Sequence, residues 1–293
     1  MNTVALYARP TLDNQPEYLR LLHEKLSASS VNLLVHDKYY HWLKKQHDGI
    51  PDLTVFSDET DFRNNIDLLI SLGGDGTMLE TLKFVKDTGV PVLGVNTGRL
   101  GFLASVAKNE FEMAIEKIVH GNFELDKRSV IKVESDKKLF AGLNFAINEV
   151  TIHKKDSSAM ISIDALVDGE FLNSYWADGL IISTATGSTA YSLSCGGPIM
   201  IPGSGNFCIT PIAPHNLNVR PVVLGNNHRI ELRVKGRSSE FLVTLDSRNA
   251  VINNSSILVL SKAEFTFNLV KLSGQSFFNT LRNKLLWGID KRN

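Results

Sequence analysis

Residues 66 to 85 read Ile66-Asp67-Leu68-Leu69-Ile70-Ser71-Leu72-Gly73-Gly74-Asp75-Gly76-Thr77-Met78-Leu79-Glu80-Thr81-Leu82-Lys83-Phe84-Val85. An apolar run of strand length leads into a glycine-rich turn with one acid, and Met78, Leu79, Leu82 and Val85 then share a helical face. Strand, tight turn and helix form one unit of a parallel α/β sheet, whose ligands sit beyond the carboxyl ends of the strands, where Asp75 falls. Gly73, Gly74 and Gly76 lack the Cβ atoms that would block left-handed geometry or close approach of a ligand, so backbone N–H groups can converge on an anion. A carboxylate inside such a turn is electrostatically unfavourable unless it holds a metal or accepts a proton. Asp is also a common helix N-cap, so base, metal ligand and purely structural residue are all open readings of Asp75.

Outward from this stretch, strand and helix signals alternate over the first 125 residues. Strands are expected at 4–8, 31–35 and 90–95, and a helix at 17–26 with Leu19, Leu22 and Leu26 on one face. A further helix is expected over 109–119, capped by Asn109 and ended by Gly121. From about residue 126 the helical period gives way to short β-rich runs at 130–134, 145–153, 160–167, 170–176, 179–184, 229–234, 241–245, 257–260 and 265–270. Asp168-Gly169 between two of them is a hairpin turn of the type that needs positive φ at both central residues. Phe277, Leu281 and Leu285 then mark a short amphipathic helix. The expected architecture is an α/β domain with a Rossmann-like parallel sheet (1–125), an all-β sandwich-like domain (126–274), and a C-terminal segment (275–293) whose helix returns to the first domain.

Composition limits the function. Lys plus Arg and Asp plus Glu are both 31, so no overall positive field would draw in nucleic acid or anionic lipid. No signal-peptide pattern opens the chain, no apolar run approaches the ~20 residues of a membrane span, and the two cysteines, Cys195 and Cys208, fit a reducing compartment. A cytoplasmic protein with neither nucleic-acid nor membrane partners is expected. There is no P-loop, no dinucleotide fingerprint at the turn and no two-histidine zinc motif; His23, His36, His41 and His47 read as surface or core residues. Gly203-Ser204-Gly205 lacks the spacing of a nucleophile elbow.

Three further stretches carry chemistry. Residues 178–198 open from an apolar strand into a dense run of hydroxyls that can donate to ribose, phosphate or base edges, with Gly187 as a point of close backbone approach and Tyr191 as an aromatic face with a polar tip. A plain Ser/Thr-rich loop has the same composition. Asn148-Glu149 closes the apolar stretch 145–147; the amide suits a base edge and the carboxylate ribose hydroxyls, or the pair is a solvated strand end. Residues 96–102, Asn-Thr-Gly-Arg-Leu-Gly-Phe, offer a second glycine-containing turn with a cation, Arg99, or a connecting loop.

Taken together, Gly73-Gly74-Asp75-Gly76-Thr77, Asn148-Glu149 and the run from Asp178-Gly179 through Thr186-Gly187-Ser188-Thr189-Ala190-Tyr191-Ser192-Leu193-Ser194 resemble the NAD kinases. The first motif is shared with diacylglycerol, sphingosine and phosphofructokinase-type kinases; the hydroxyl-rich run is far more specific. The resemblance implies ATP-dependent phosphorylation of the 2′-hydroxyl of the adenosine ribose of NAD, giving NADP, with a divalent cation such as magnesium whose ligands it leaves unassigned. It implies Asp75 as the catalytic base in contact with NAD, and a phosphate and ATP cradle of Gly73, Gly74, Gly76 and Thr77, with Gly76 also touching NAD. Asn148 and Glu149 would hold the adenosine half. Thr186, Thr189, Ala190, Tyr191, Ser192, Leu193 and Ser194 would line the dinucleotide site, Asp178 would meet the nicotinamide half, and Arg248 would add a contact. A homo-oligomer, dimer or tetramer, is part of what the resemblance implies. The sequence departs from the family pattern in three places: Asp246-Ser247-Arg248 stands where Asp-Gly-Gln or similar is expected, Trp176 where a polar side chain is common, and Glu80 where the residue is often basic, which removes one possible phosphate contact. A lipid or sphingoid kinase of the same superfamily and a non-catalytic nucleotide-sensing module are the other readings.

Overall fold

The computed structural model describes residues 1–11, 16–98, 101–155 and 160–288. The chain divides into two compact units, Met1–Lys127 with Phe267–Asn293, and Arg128–Thr266. The first carries β1 (Thr3–Ala8), α1 (Pro16–Ala28), β2 (Asn32–His36), α2 (Asp37–Gln46), β3 (Thr54–Phe56), α3 (Phe62–Asn65), β4 (Leu68–Leu72), α4 (Asp75–Glu80), α5 (Leu82–Val85), β5 (Val92–Asn96), β6 (Val106–Ala107) and α6 (Phe111–Val119). β7 (Phe123–Ser135) leads into the second unit, which holds β8 (Phe145–Ala146), β9 (Glu149–Lys154), β10 (Ile161–Val167), β11 (Glu170–Ala177), β12 (Gly179–Thr184), α7 (Tyr191–Ser194), β13 (Asn206–Ile212), β14 (Val222–Gly225), β15 (Ile230–Gly236), β16 (Glu240–Leu245) and β17 (Arg248–Asn253). β18 (Ile257–Leu272) leads back to the first unit and α8 (Phe277–Leu285).

In the first unit the parallel strands lie in the order β3-β2-β1-β4-β5. The order reverses between β1 and β4, the switch point at which doubly wound sheets open a crevice beyond their strand ends. Both faces of the sheet are covered, so its strands are apolar throughout rather than alternating. Val4, Leu6 and Ala8 pack with Leu19, Leu22 and Leu26 of α1. Tyr7 points the other way, into a nest of rings with His36, Phe56, Phe62 and Phe84 whose neighbouring centroids lie 4.9 to 5.7 Å apart. Burial in that nest pushes the His36 imidazole down to about 4, so it is a neutral core residue.

In the second unit a six-stranded antiparallel sheet, β14-β13-β12-β9-β16-β17, shares one apolar core with strands β10, β15 and the first part of β18. Asp168 and Gly169 both have positive φ, 51° and 86°, and join β10 to β11 as the hairpin signal requires. Four local expectations change. The strand expected at 145–153 is two, β8 paired with β7 and β9 in the six-stranded sheet. The strands expected at 257–260 and 265–270 are one continuous strand, β18, antiparallel to β15 at its start and parallel to β5 at Leu269. The helix after Asp75 is interrupted at Thr81, whose hydroxyl donates back to the Met78 carbonyl at 2.6 Å and competes with the helical ladder. Asn109 does not cap α6: a single 3₁₀ turn, Lys108–Glu110, precedes it, and the Glu110 carboxylate accepts from the Ala107 N–H. No helix among the described residues is long and apolar enough to cross a membrane.

Candidate active site

The turn of the first unit begins where β4 ends. Gly73 has φ of 147°, and a Cβ there would lie 2.5 Å from the Thr77 hydroxyl, so glycine is required by the backbone and by its neighbour alike. Gly74 precedes α4, and a Cβ there would meet nothing within 4 Å: the protein itself leaves that position open. Asp75 is the first residue of α4, and its carboxylate reaches across to the loop after β5. Oδ2 accepts from the Phe102 N–H at 2.8 Å, and Oδ1 from those of Leu103 at 3.1 Å and Ala104 at 2.9 Å. Gly101 makes room for this: a Cβ there would stand 1.8 Å from Oδ1. Asp75 therefore is not an N-cap. It is a carboxylate fixed by three consecutive amides, with accepting capacity left on Oδ2, since a carboxylate offers about four lone-pair directions. Arg99 and Leu100 of the second glycine-containing turn lie outside the described residues; in the remainder, Asn96 accepts from the Gly98 N–H at 2.8 Å.

Glu80, one turn further along, holds an arginine. Arg9, just beyond β1, donates Nε and Nη2 to the two carboxylate oxygens of Glu80, at 3.1 and 2.7 Å, and Nη2 also to the Gly76 carbonyl at 3.2 Å. The Tyr7 hydroxyl donates to the same carboxylate at 2.5 Å.

In the second unit, Asn148 and Glu149 are buried at the start of β9, not solvated. Their backbone is fixed by Asp246, in the turn between β16 and β17. Its carboxylate accepts from the N–H groups of Ile147, Asn148 and Glu149 at 2.9, 2.8 and 3.2 Å. Burial raises the Asp246 carboxyl against the pull of these amides, and burial, with Asp246 close by, pushes Glu149 up to about 8. Oε2 of Glu149 is buried and has no hydrogen-bond partner among the described residues. A neutral buried carboxylic acid with an unused oxygen is a group that can donate to or accept from a ligand.

Against this pair packs the hydroxyl-rich run. Gly187 is the point of close approach: a Cβ there would lie 2.1 Å from the Asn148 carbonyl oxygen, so what approaches it is the backbone of the amide–acid pair. Most of the hydroxyls serve the turn itself. Thr184 donates to the Ile147 carbonyl and accepts from the Gly187 N–H, Ser188 bonds the Ala185 carbonyl and the Met200 N–H, Ser192 meets Thr210, and Ser194 donates to the Tyr191 carbonyl. Thr186 accepts from Arg128 and Thr189 donates to the Thr186 carbonyl. Ala190 and Leu193 are half-buried, and Tyr191 is exposed with its hydroxyl 3.4 Å from His153. Asp178 pairs with Lys154 at 2.6 Å. Arg248 donates to the carbonyls of Leu143 and Phe145, which makes it a brace for the segment leading to Asn148.

A glycine-rich turn with a fixed carboxylate at a parallel-sheet switch point, and a buried amide–acid pair backed by hydroxyls in an antiparallel unit, are the marks of a nucleotide-handling phosphotransferase. Residues 11–123 match the ATP-NAD kinase N-terminal domain and residues 147–272 the ATP-NAD kinase C-terminal domain. The chain is 44% identical over 290 residues to an NAD kinase of Cytophaga hutchinsonii and 41% identical over 292 residues to one of Flavobacterium johnsoniae, covering 99% of each chain in both cases. Its fold is shared with a yeast NADH kinase solved with NADH (TM-score 0.88, 23% identity, 100% of this chain and 89% of that one) and with an NAD kinase from Archaeoglobus fulgidus solved with ATP (TM-score 0.74, 24% identity, 98% and 99%). The chain belongs to the ATP-NAD kinase family.

The roles of Asp246, Gly101 and Arg9 in the two sites are what sequence reasoning missed. Each acts on residues distant in the chain, through backbone amides, an absent side chain or an ion pair, and none of these leaves a local pattern.

Proposed function

We propose that in this chain the family's reaction, transfer of the γ-phosphoryl group of ATP to the 2′-hydroxyl of the adenosine ribose of NAD, uses Asp75 as the general base. The observation that carries this reading is the clamp on Asp75: three amides fix the carboxylate while Oδ2 keeps capacity to accept from a hydroxyl. Phosphoryl transfer passes through a loose transition state, so the protein's work is positioning and neutralisation of charge. Gly73, Gly74, Gly76 and Thr77 cradle phosphates, and the open space at Gly74 supports close approach there.

Asn148 and Glu149 hold the adenosine half of NAD, with the unpartnered Oε2 of Glu149 as a recognition group. Thr186, Thr189, Ala190, Tyr191, Ser192, Leu193 and Ser194 form the wall of the dinucleotide site, those with committed hydroxyls acting through shape, and Asp178 meets the nicotinamide half. Arg248 is reassigned from ligand contact to brace, because its guanidinium is taken up by two backbone carbonyls.

No three His, Cys, Asp or Glu side chains among the described residues group as a metal site. A divalent cation such as magnesium fits this chain as one held chiefly by ligand phosphates, with Asp75 as the carboxylate within the turn, where it would offset phosphoryl charge. The free thiols of Cys195 and Cys208 accord with a reducing cytoplasm.

The purified chain, given ATP, magnesium and NAD, should form NADP, read with an NADP-specific dehydrogenase; binding without turnover would refute the kinase reading. Asp75→Asn should lower kcat by about 10² to 10⁴ with the circular dichroism spectrum kept. Near-full activity in that variant would remove Asp75 from the role of base.

A further inference from the structure

Glu80, on the helix that follows the glycine-rich turn, carries a negative charge, and the structure pairs it with a cation, Arg9. β1 and β4 are adjacent, with Ala8 opposite Leu72, so Arg9 and Gly73 are the next residues on either side of the switch point. Glu80 holds the guanidinium by its Nε and Nη2 edge, and the Gly76 carbonyl takes a further bond. Both terminal nitrogens lie within 4.0 Å of where a Gly76 Cβ would stand, so any larger side chain at Gly76 would press on the guanidinium. The Arg9 side chain remains 42% exposed.

Lys83, half-buried over the rings of Tyr7 and Phe84, faces the same carboxylate, with Lys38 and Asp37 nearby among the described residues. Burial raises the Glu80 carboxyl, but the bonds from Arg9 and Tyr7 outweigh it and keep Glu80 ionised as an anchor.

We propose that Arg9 binds the phosphate chain of the nucleoside triphosphate donor, and that Glu80 and Tyr7 are positioning residues that aim its guanidinium at the Gly73–Gly76 turn. A planar, permanently charged fork suits phosphate oxygens, and a pre-fixed one loses little freedom on binding. The inference rests on the kinase reading above, because it takes the turn to be the donor's side.

The test is steady-state kinetics on the full chain. Arg9→Met should raise the KM for ATP about 10-fold or more and leave the KM for NAD within about twofold. Glu80→Gln, with Arg9 still present, should raise the KM for ATP by a smaller factor, about 3-fold. The double variant Arg9→Met/Glu80→Arg, which returns a cation from the helix side, should recover a good part of the loss. A structural tie alone would move both KM values together, and the double variant would then be no better than Arg9→Met; either result, or an unchanged KM for ATP, overturns the proposal. If Arg9→Met does not fold, Arg9→Lys, which keeps the charge and loses the fork, must still raise the KM for ATP selectively. If the wild-type chain binds ATP but makes no NADP, the kinase reading fails; Arg9 is then judged by the Kd for ATP, which must weaken about 10-fold in Arg9→Met for the assignment to stand.

Discussion

Asp75 and Asp246 use a carboxylate in the same way: each accepts from three consecutive backbone amides, 102–104 and 147–149, and so fixes a segment that bears on its unit's site. The carboxylates were visible in the sequence, but their partners were not, because an amide donor carries no residue identity. The consequences are testable one residue at a time. Gly101→Ala places a methyl where Oδ1 of Asp75 now lies, so the carboxylate must move while every ionisable group is kept. The expected result is a fall in kcat of about 10-fold or more with the fold intact, since a displacement of ~1 Å at a reacting group can cost 10²-fold; wild-type kcat would show that the clamp does not matter. Glu149 gives a pH signature. Its carboxyl is raised from 4.5 to about 8 by burial and by Asp246, so the folded chain holds the proton more tightly than the unfolded chain. Stability from this group is therefore full below about pH 4.5, is lost as pH rises to about 8, and changes no further above that. Glu149→Gln has no such loss, and its unfolding free energy from urea titration relative to wild type, without ligands, should improve steadily between pH 5 and 8 by an amount on the order of 3 kcal/mol. A difference independent of pH would rule this out.

Elements were legible where their apolar period was unbroken and hidden where packing overrode it. β4, the turn after it and the hairpin at Asp168-Gly169 follow directly from local chemistry. β18 reads as two strands because its buried positions switch from Leu258 and Leu260 to Ala263, Phe267 and Leu269, a change of parity that mimics a turn. α2 escapes notice because its ten residues bury only Tyr39, Tyr40 and Leu43 among charged neighbours. The β16–β17 turn shows how much one element can depend on a side chain. Asp246→Ala would leave three amides at the start of β9 without their acceptor, a loss of about 3 kcal/mol or more. Calorimetry should show the melting temperature lower by about 6 to 12 °C. A shift under about 2 °C would mean that water or a rearranged loop replaces the carboxylate.

For the whole chain, the balance of 31 basic and 31 acidic residues means that no net charge opposes self-association. The second unit also exposes large apolar side chains close together. Leu172, Leu217 and Val222 line one groove, the Trp176 carbonyl accepts from the His215 N–H beside it, and Leu217 is 88% and Trp176 54% exposed. Scattered exposed apolar residues need no explanation, but a nearly naked leucine at an apolar groove, with an indole exposed on β11, is costly to leave in water. We propose a second copy of the same chain as what covers this groove. Sedimentation velocity at micromolar concentration should give a mass that is a multiple of 32.4 kDa. Trp176→Glu/Leu217→Glu should shift the population toward the single chain, because two carboxylates would have to be desolvated at the contact, with the circular dichroism spectrum unchanged. A wild-type chain that sediments as a monomer would leave this surface without its partner and refute the assignment; an oligomer indifferent to the double variant would place the contact elsewhere on the molecule.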